Sequence, residues 1–224
     1  MFNYPNGNAP KLYQNKALNT NFDILYSQEN LQAYNQEYVP TFGYTPTSIY
    51  KPSINYNVDV PINLAKSLEG KYFVGYADYL PFGEGTNAWA RLYNPPYSGV
   101  NLHVTVWSVS DISQTSFTAQ FWFNSTPPGF VEESNFVTPA NTTLSPLPTP
   151  KIKLQYAVST KGFPTGGVRA FIRRGQPGTT LVDDEQGKFI FPPGGSFLIL
   201  LFNPQTPSLF VSGSIAFGWW EEPI

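Results

Sequence analysis

The chain has 224 residues, a formal net charge of -2 and no cysteine, which excludes disulfides, thiolate metal centres, a cysteine nucleophile and a basic footprint for nucleic acid. Charged residues are only 12% and aromatics reach 17%. That balance is opposite to the signature of disorder, and it leaves few charges to keep copies of the chain apart.

Residues 1–60 hold eight of the 14 tyrosines, ten asparagines, two glycines and no tryptophan, and Pro5, Pro10, Pro40, Pro46 and Pro52 punctuate them. No long helical period survives there, although residues 27–37 carry a short helical spacing. The start, Met1-Phe2-Asn3-Tyr4-Pro5, has neither a basic nor an apolar leader segment. Synthesis in the cytoplasm without a signal peptide is therefore expected. The longest apolar run, residues 197–202, is too short to span a bilayer as a helix, so no membrane insertion is expected.

The cleanest pattern follows. Ile54, Tyr56, Val58, Val60, Ile62 and Leu64 alternate with polar residues and Pro61. Six apolar residues at period two predict a strand with one buried face, and Pro61 predicts an edge position. Pairing within the chain and donation to a neighbour's sheet are both open. From residue 70 onward, short β-like runs at 71–77, 88–93, 100–109, 116–123, 152–158, 168–173, 179–182, 188–191, 196–202 and 209–219 alternate with Gly/Pro-rich links. The fold class is all-β: an antiparallel β-sandwich or jelly roll with an N-terminal extended arm, since long crossings suit Greek-key connections. The expected organisation is an arm over 1–64, with a possible donor strand at 54–64, and a β-sandwich domain over 65–224.

Little in the chain points to catalysis. The one histidine, His103, lies out of phase with Leu102 and Val104 and reads as a surface strand residue. With one His and no Cys, a zinc site has no ordinary ligand set. Asp183-Asp184-Glu185 before Gly187 reads as a solvated hairpin turn, and Glu221-Glu222 as a solvated end. Arg169, Arg173 and Arg174 read as solvent-facing charges that discourage edge-to-edge pairing. The glycine pairs join strands without a following helix to hold phosphate. Trp219 and Trp220 are consecutive, so in a strand they face opposite sides. One belongs in the core, and the other is exposed or covered. An exposed one is a candidate contact with another subunit, with the arm or with a ligand.

Several strings carry a resemblance: residues 94–102 (NPPYSGVNL), 117–124, 191–195 (FPPGG) and 216–221 (AFGWWE). Over residues 70–222 the chain resembles an uncharacterised domain family of spore-forming Gram-positive bacteria. These are turn and core residues, and the resemblance implies a context of spore-surface or filament subunits without implying any catalytic residue. The expected function is a structural subunit, not an enzyme and without cofactors, that self-assembles into a filament, spore-surface layer or similar array. Its partner is a second copy of itself, its interface Ile54, Tyr56, Val58, Val60, Ile62, Leu64 and Trp220, and its expected place the spore or cell surface after release. The alternative is a carbohydrate- or ligand-binding β-sandwich module with an exposed aromatic platform and a glycan partner.

Overall fold

A computed structural model describes residues 59–111, 113, 115–204 and 208–224. They belong to a unit that runs from Asn57 to Ile224. It opens with a two-turn helix, α1 (Ile62–Leu68), and continues with β1 (Tyr72–Phe82), β2 (Asn87–Tyr93), β3 (Val100–Asp111), β4 (Phe117–Phe123), β5 (Glu132–Glu133), β6 (Val137–Pro139), β7 (Lys153–Thr160), β8 (Val168–Gly175), β9 (Thr180–Phe191), β10 (Ser196–Phe202) and β11 (Val211–Pro223).

The strands form two antiparallel sheets, ordered β6-β1-β11-β3-β9 and β5-β7-β2-β10-β4-β8. Four pairings nest inside one another: β1 with β11, β2 with β10, β3 with β9 and β4 with β8. The outermost pair joins the first long strand to the last, and successive pairs alternate between sheets. This is the double Greek key of a jelly roll, with β5, β6 and β7 inserted between the fourth and fifth strands of the eight-stranded frame.

Alternation in β1, β3 and β11, together with the continuous apolar run of β10, supplies much of the core. Phe73, Leu102, Val104, Ile215, Phe217 and Trp219 from one sheet meet Leu92, Phe121, Phe197, Ile199 and Leu201 from the other. β10 reads SFLILLF because both of its faces are covered: Phe197, Ile199 and Leu201 enter the central core, while Leu198 and Leu200 join Trp89 and Ala157 in a second cluster. The Trp89 indole, at that second cluster, donates to the carbonyl of Pro128 at 2.8 Å, which ties the β4–β5 loop over it.

Three expectations change. The alternation over 54–64 does not continue as a strand, because Ile62 and Leu64 lie in α1; Ile54, Tyr56, Val58 and the helical spacing at 27–37 lie outside the described residues. Pro61 stands at the N-cap of α1, where its missing N–H costs no intrahelical bond. The runs at 179–182 and 188–191 are one strand, β9, whose register jumps between Val104↔Phe189 and Val106↔Asp184. The four residues between, 185–188, form a bulge without partners on β3, with Gln186 and Gly187 at positive φ. Acidic residues read as a hairpin turn are thus a bulge within a continuous ladder. Short β5 and β6 appear in the long link between β4 and β7, where no alternating run signals them.

Candidate interaction surface on the five-stranded sheet

The outward residues of this sheet form rows across β1, β11, β3 and β9. One row carries Tyr72, Trp220, His103 and Ile190; the next Val74, Gly218, Val106 and Asp184; the third Tyr76, Ala216, Ser108 and Val182. The central strand therefore contributes one large side chain and then two very small ones. A trough of about 580 Å³ results, walled by Val74, Tyr76 and Phe136 on one side and by Val106 and Ser108 on the other. Ala216 lies between the two walls. At neighbouring Gly218 a Cβ would stand 2.7 Å from both the Tyr72 hydroxyl and a Val106 methyl.

The wall is a stacked pair. The Tyr76 and Phe136 rings lie 4.9 Å apart at 12°, and the two residues remain 43% and 58% exposed. Phe136 is brought there by the Ser134 hydroxyl, which donates to the Tyr76 carbonyl at 2.7 Å and accepts from the Phe136 amide at 3.1 Å. The Tyr76 amide in turn donates to the Phe136 carbonyl. Among the described residues, no carboxylate, imidazole, amine or guanidinium lines the trough. Its lining is suited to burying apolar surface.

Trp220 stands one row beyond Gly218 on the same face. Trp219 is fully buried in the core, and Trp220, facing the opposite way, is only 8% exposed. The His103 ring stacks on it at 3.6 Å and 9°, the Lys66 ammonium from α1 stands 5.0 Å from its ring centre, and Gly187 of the bulge packs against its indole nitrogen so closely that a Cβ would lie 2.9 Å away. Trp220 is thus the covered alternative, sealed by its own chain, and it presents no free face to a second subunit. His103 is likewise no plain surface residue. Burial lowers its pKa against the opposing effect of the Gly187 carbonyl, 3.1 Å from Nδ1.

Lys66 holds α1 in place through an ion pair with Glu222 at 2.5 Å and a longer one with Glu69 at 3.5 Å. The Glu222 hydrogen bond is the main reason its pKa is raised. Of the expected interface residues within reach, Val60, Ile62 and Leu64 are exposed. The structure does not gather them with Trp220 into one patch: α1 meets Trp220 through Lys66.

The two acidic groups read as solvated are partly internal. Glu185 is buried, accepts from the Trp107 indole at 3.1 Å and pairs with Lys188 at 2.9 Å. Glu221 is buried and accepts the backbone N–H groups of Lys151 and Ile152 at 3.0 Å and the Trp219 indole at 3.3 Å. Phe136 escapes the sequence reading because its segment has no alternation. The available signal was β1 itself, where Tyr72, Val74 and Tyr76 make the outward phase as apolar as the inward one.

No curated protein and no solved structure matches the chain. A family of unknown function, DUF6143, matches residues 50–224. The match takes in the whole jelly roll, α1 and the twelve residues before Ile62, and so reaches beyond the resemblance at 70–222 at both ends. On that span, the chain belongs to the family of unknown function DUF6143.

Proposed function

We propose that this protein is a structural subunit that assembles with copies of itself into a filament, surface layer or similar array, joined through its N-terminal arm. The observation that carries the reading is the apolar trough, with its exposed Tyr76–Phe136 wall, on a chain with only 12% charged residues. Exposed apolar patches rimmed by polar residues mark contact sites, and few charges oppose association. Exposed Val60, Ile62 and Leu64, at the junction with the arm, add apolar surface to the same end of the sequence. The resemblance to proteins of spore-forming bacteria supports a spore-surface setting, reached by release from the cell in which the chain is made.

The test compares the full chain with a version beginning at residue 57, by light scattering and negative-stain electron microscopy. The cut spares α1, whose Lys66 covers Trp220. Large oligomers or filaments from the full chain, and a folded monomer from the shortened one, are the expected results. Two folded monomers overturn the reading. A glycan-binding module is the second reading, favoured by the exposed Tyr76–Phe136 stack. It requires glycan-array binding that Tyr76→Ala removes.

A further inference from the structure

The outer face of the six-stranded sheet carries a different kind of site. On β2, Ala88, Ala90 and Leu92 point into the central core, so Arg91 and Tyr93 point outward. With the β4–β5 loop and the β9–β10 turn they line a cavity of about 390 Å³ that also includes Asn124, Ser125, Thr126 and Gly194. That volume lies at the small end of ligand pockets.

Arg91 is partly buried and has no counter-ion: among the described residues it takes part in no ion pair. Its Nε donates to Gln155 Oε1 at 2.9 Å. Its guanidinium carbon stands 4.6 Å from the Tyr93 ring centre and 5.8 Å from that of Trp89. These contacts fix the plane of the guanidinium and use one of its five N–H donors, leaving Nη1 and Nη2 with no acceptor among the described residues. Burial disfavours its charge, lowering its pKa. An oriented, partly buried cation without an anion stabilises the fold little, whereas the same arrangement is what a forked guanidinium–carboxylate bond needs.

A second polar residue without a partner lines the same cavity. Ser125 is only 4% exposed, and its hydroxyl has no hydrogen-bond partner among the described residues. Asn124 beside it is held by the Ser196 amide, which donates to Oδ1 at 3.0 Å, so the loop that presents Ser125 is anchored to β10. A buried hydroxyl without a partner costs free energy that a ligand atom would recover.

We propose that this cavity binds the carboxylate of a small organic acid, with Arg91 Nη1 and Nη2 forked on its two oxygens and the Ser125 hydroxyl bonded to the same group. The lining holds no Lys, His or second Arg. One positive charge and a planar fork suit a monocarboxylate better than a phosphate dianion. This site lies on the opposite sheet from the apolar trough and does not depend on self-assembly.

The experiment is a heteronuclear NMR titration of the full chain with sodium acetate, sodium glucuronate and inorganic phosphate at constant ionic strength. Saturable shifts of the Arg91 side-chain and Ser125 signals with the two carboxylates are expected, with phosphate weaker. Arg91→Gln should weaken binding by about tenfold or more, and Ser125→Ala by a smaller factor, since a charge-assisted bond is worth more than a neutral one. Arg169→Gln, on the exposed start of β8, should change nothing. Three outcomes each overturn the proposal: no saturable carboxylate binding to the wild type, phosphate binding tighter than both carboxylates, or Ser125→Ala and Arg91→Gln both binding like the wild type. Should Arg91→Gln not fold, the wild-type titration and Ser125→Ala decide by themselves.

Discussion

Two side chains show how polar groups are spent inside this fold. Asn94 is fully buried at the end of β2, and its amide donates to the carbonyls of Val100 at 2.8 Å and Phe191 at 3.0 Å, tying the ends of β3 and β9 together. Asn94→Ala leaves both carbonyls without that donor in a dry site. A loss of about 1–3 kcal/mol in urea unfolding is expected. Glu221 tests electrostatics. Burial raises its pKa above the usual 4.5, against the backbone N–H groups of Lys151 and Ile152 and the Trp219 indole, which favour the charged form. The folded chain therefore binds this proton more tightly than the unfolded chain. The group's contribution is fully present below the unfolded pKa and is lost as pH rises through the folded one. Glu221→Gln keeps an acceptor at the Oε1 position, where three of its bonds fall. It should flatten that part of the stability–pH profile, as measured by urea midpoints from pH 4 upward.

At the scale of elements, the bulge in β9 and the helix α1 act together. Four residues without partners on β3 let β9 carry Gly187 over Trp220, while α1 brings Lys66 to the same ring. Gly187 has φ +77, a conformation that side chains with Cβ adopt at a cost, and Trp220 leaves no room for one. Gly187→Ala should therefore lower stability by about 1–2 kcal/mol with an unchanged urea m-value. It should also make tryptophan fluorescence more accessible to iodide, because the cover over Trp220 shifts. A purely local strain, without the uncovering, would leave quenching unchanged.

For the whole molecule, nesting the first strand against the last closes the sandwich within residues 57–224 and leaves two outer faces of unlike chemistry. The five-stranded sheet shows the apolar trough, and the six-stranded sheet carries the Arg91 cavity over its own covered aromatic cluster. If the trough is where copies meet, placing a charge on its wall should oppose assembly without touching the core. Tyr76→Glu in the full chain should thus give a monomer of unchanged urea midpoint, whereas Val168→Glu, on the exposed outer edge of β8, should assemble as the wild type does. Sedimentation velocity reads both. Assembly of Tyr76→Glu at wild-type concentrations would show that the contact lies elsewhere.

Much of this architecture is legible in the sequence because each strand carries its own local signal. Period-two alternation in β3 and β11 depends only on one face being buried, the apolar runs of β4 and β10 mark strands covered on both faces, and Gly and Pro mark the links whatever surrounds them. The all-β class and most strand positions follow from that alone. What local pattern does not contain is the partner. Ile62 and Leu64 continue the alternation of the residues before them, yet the chain turns helical there, where Lys66 reaches Glu222 and Trp220. Glu185 and Glu221 look like surface acids because their donors, Trp107 at one site and Lys151 and Ile152 at the other, stand about 70 or more residues away. The trough and the Arg91 cavity likewise depend on which small, aromatic or unpaired residues the sheet order sets side by side. Sequence by itself determined the all-β class and the inward phase of most long strands; the tertiary structure alone decided which outward residues became covered, which stayed open, and which polar groups were left without a partner, because those outcomes depend on contacts between residues far apart in the chain.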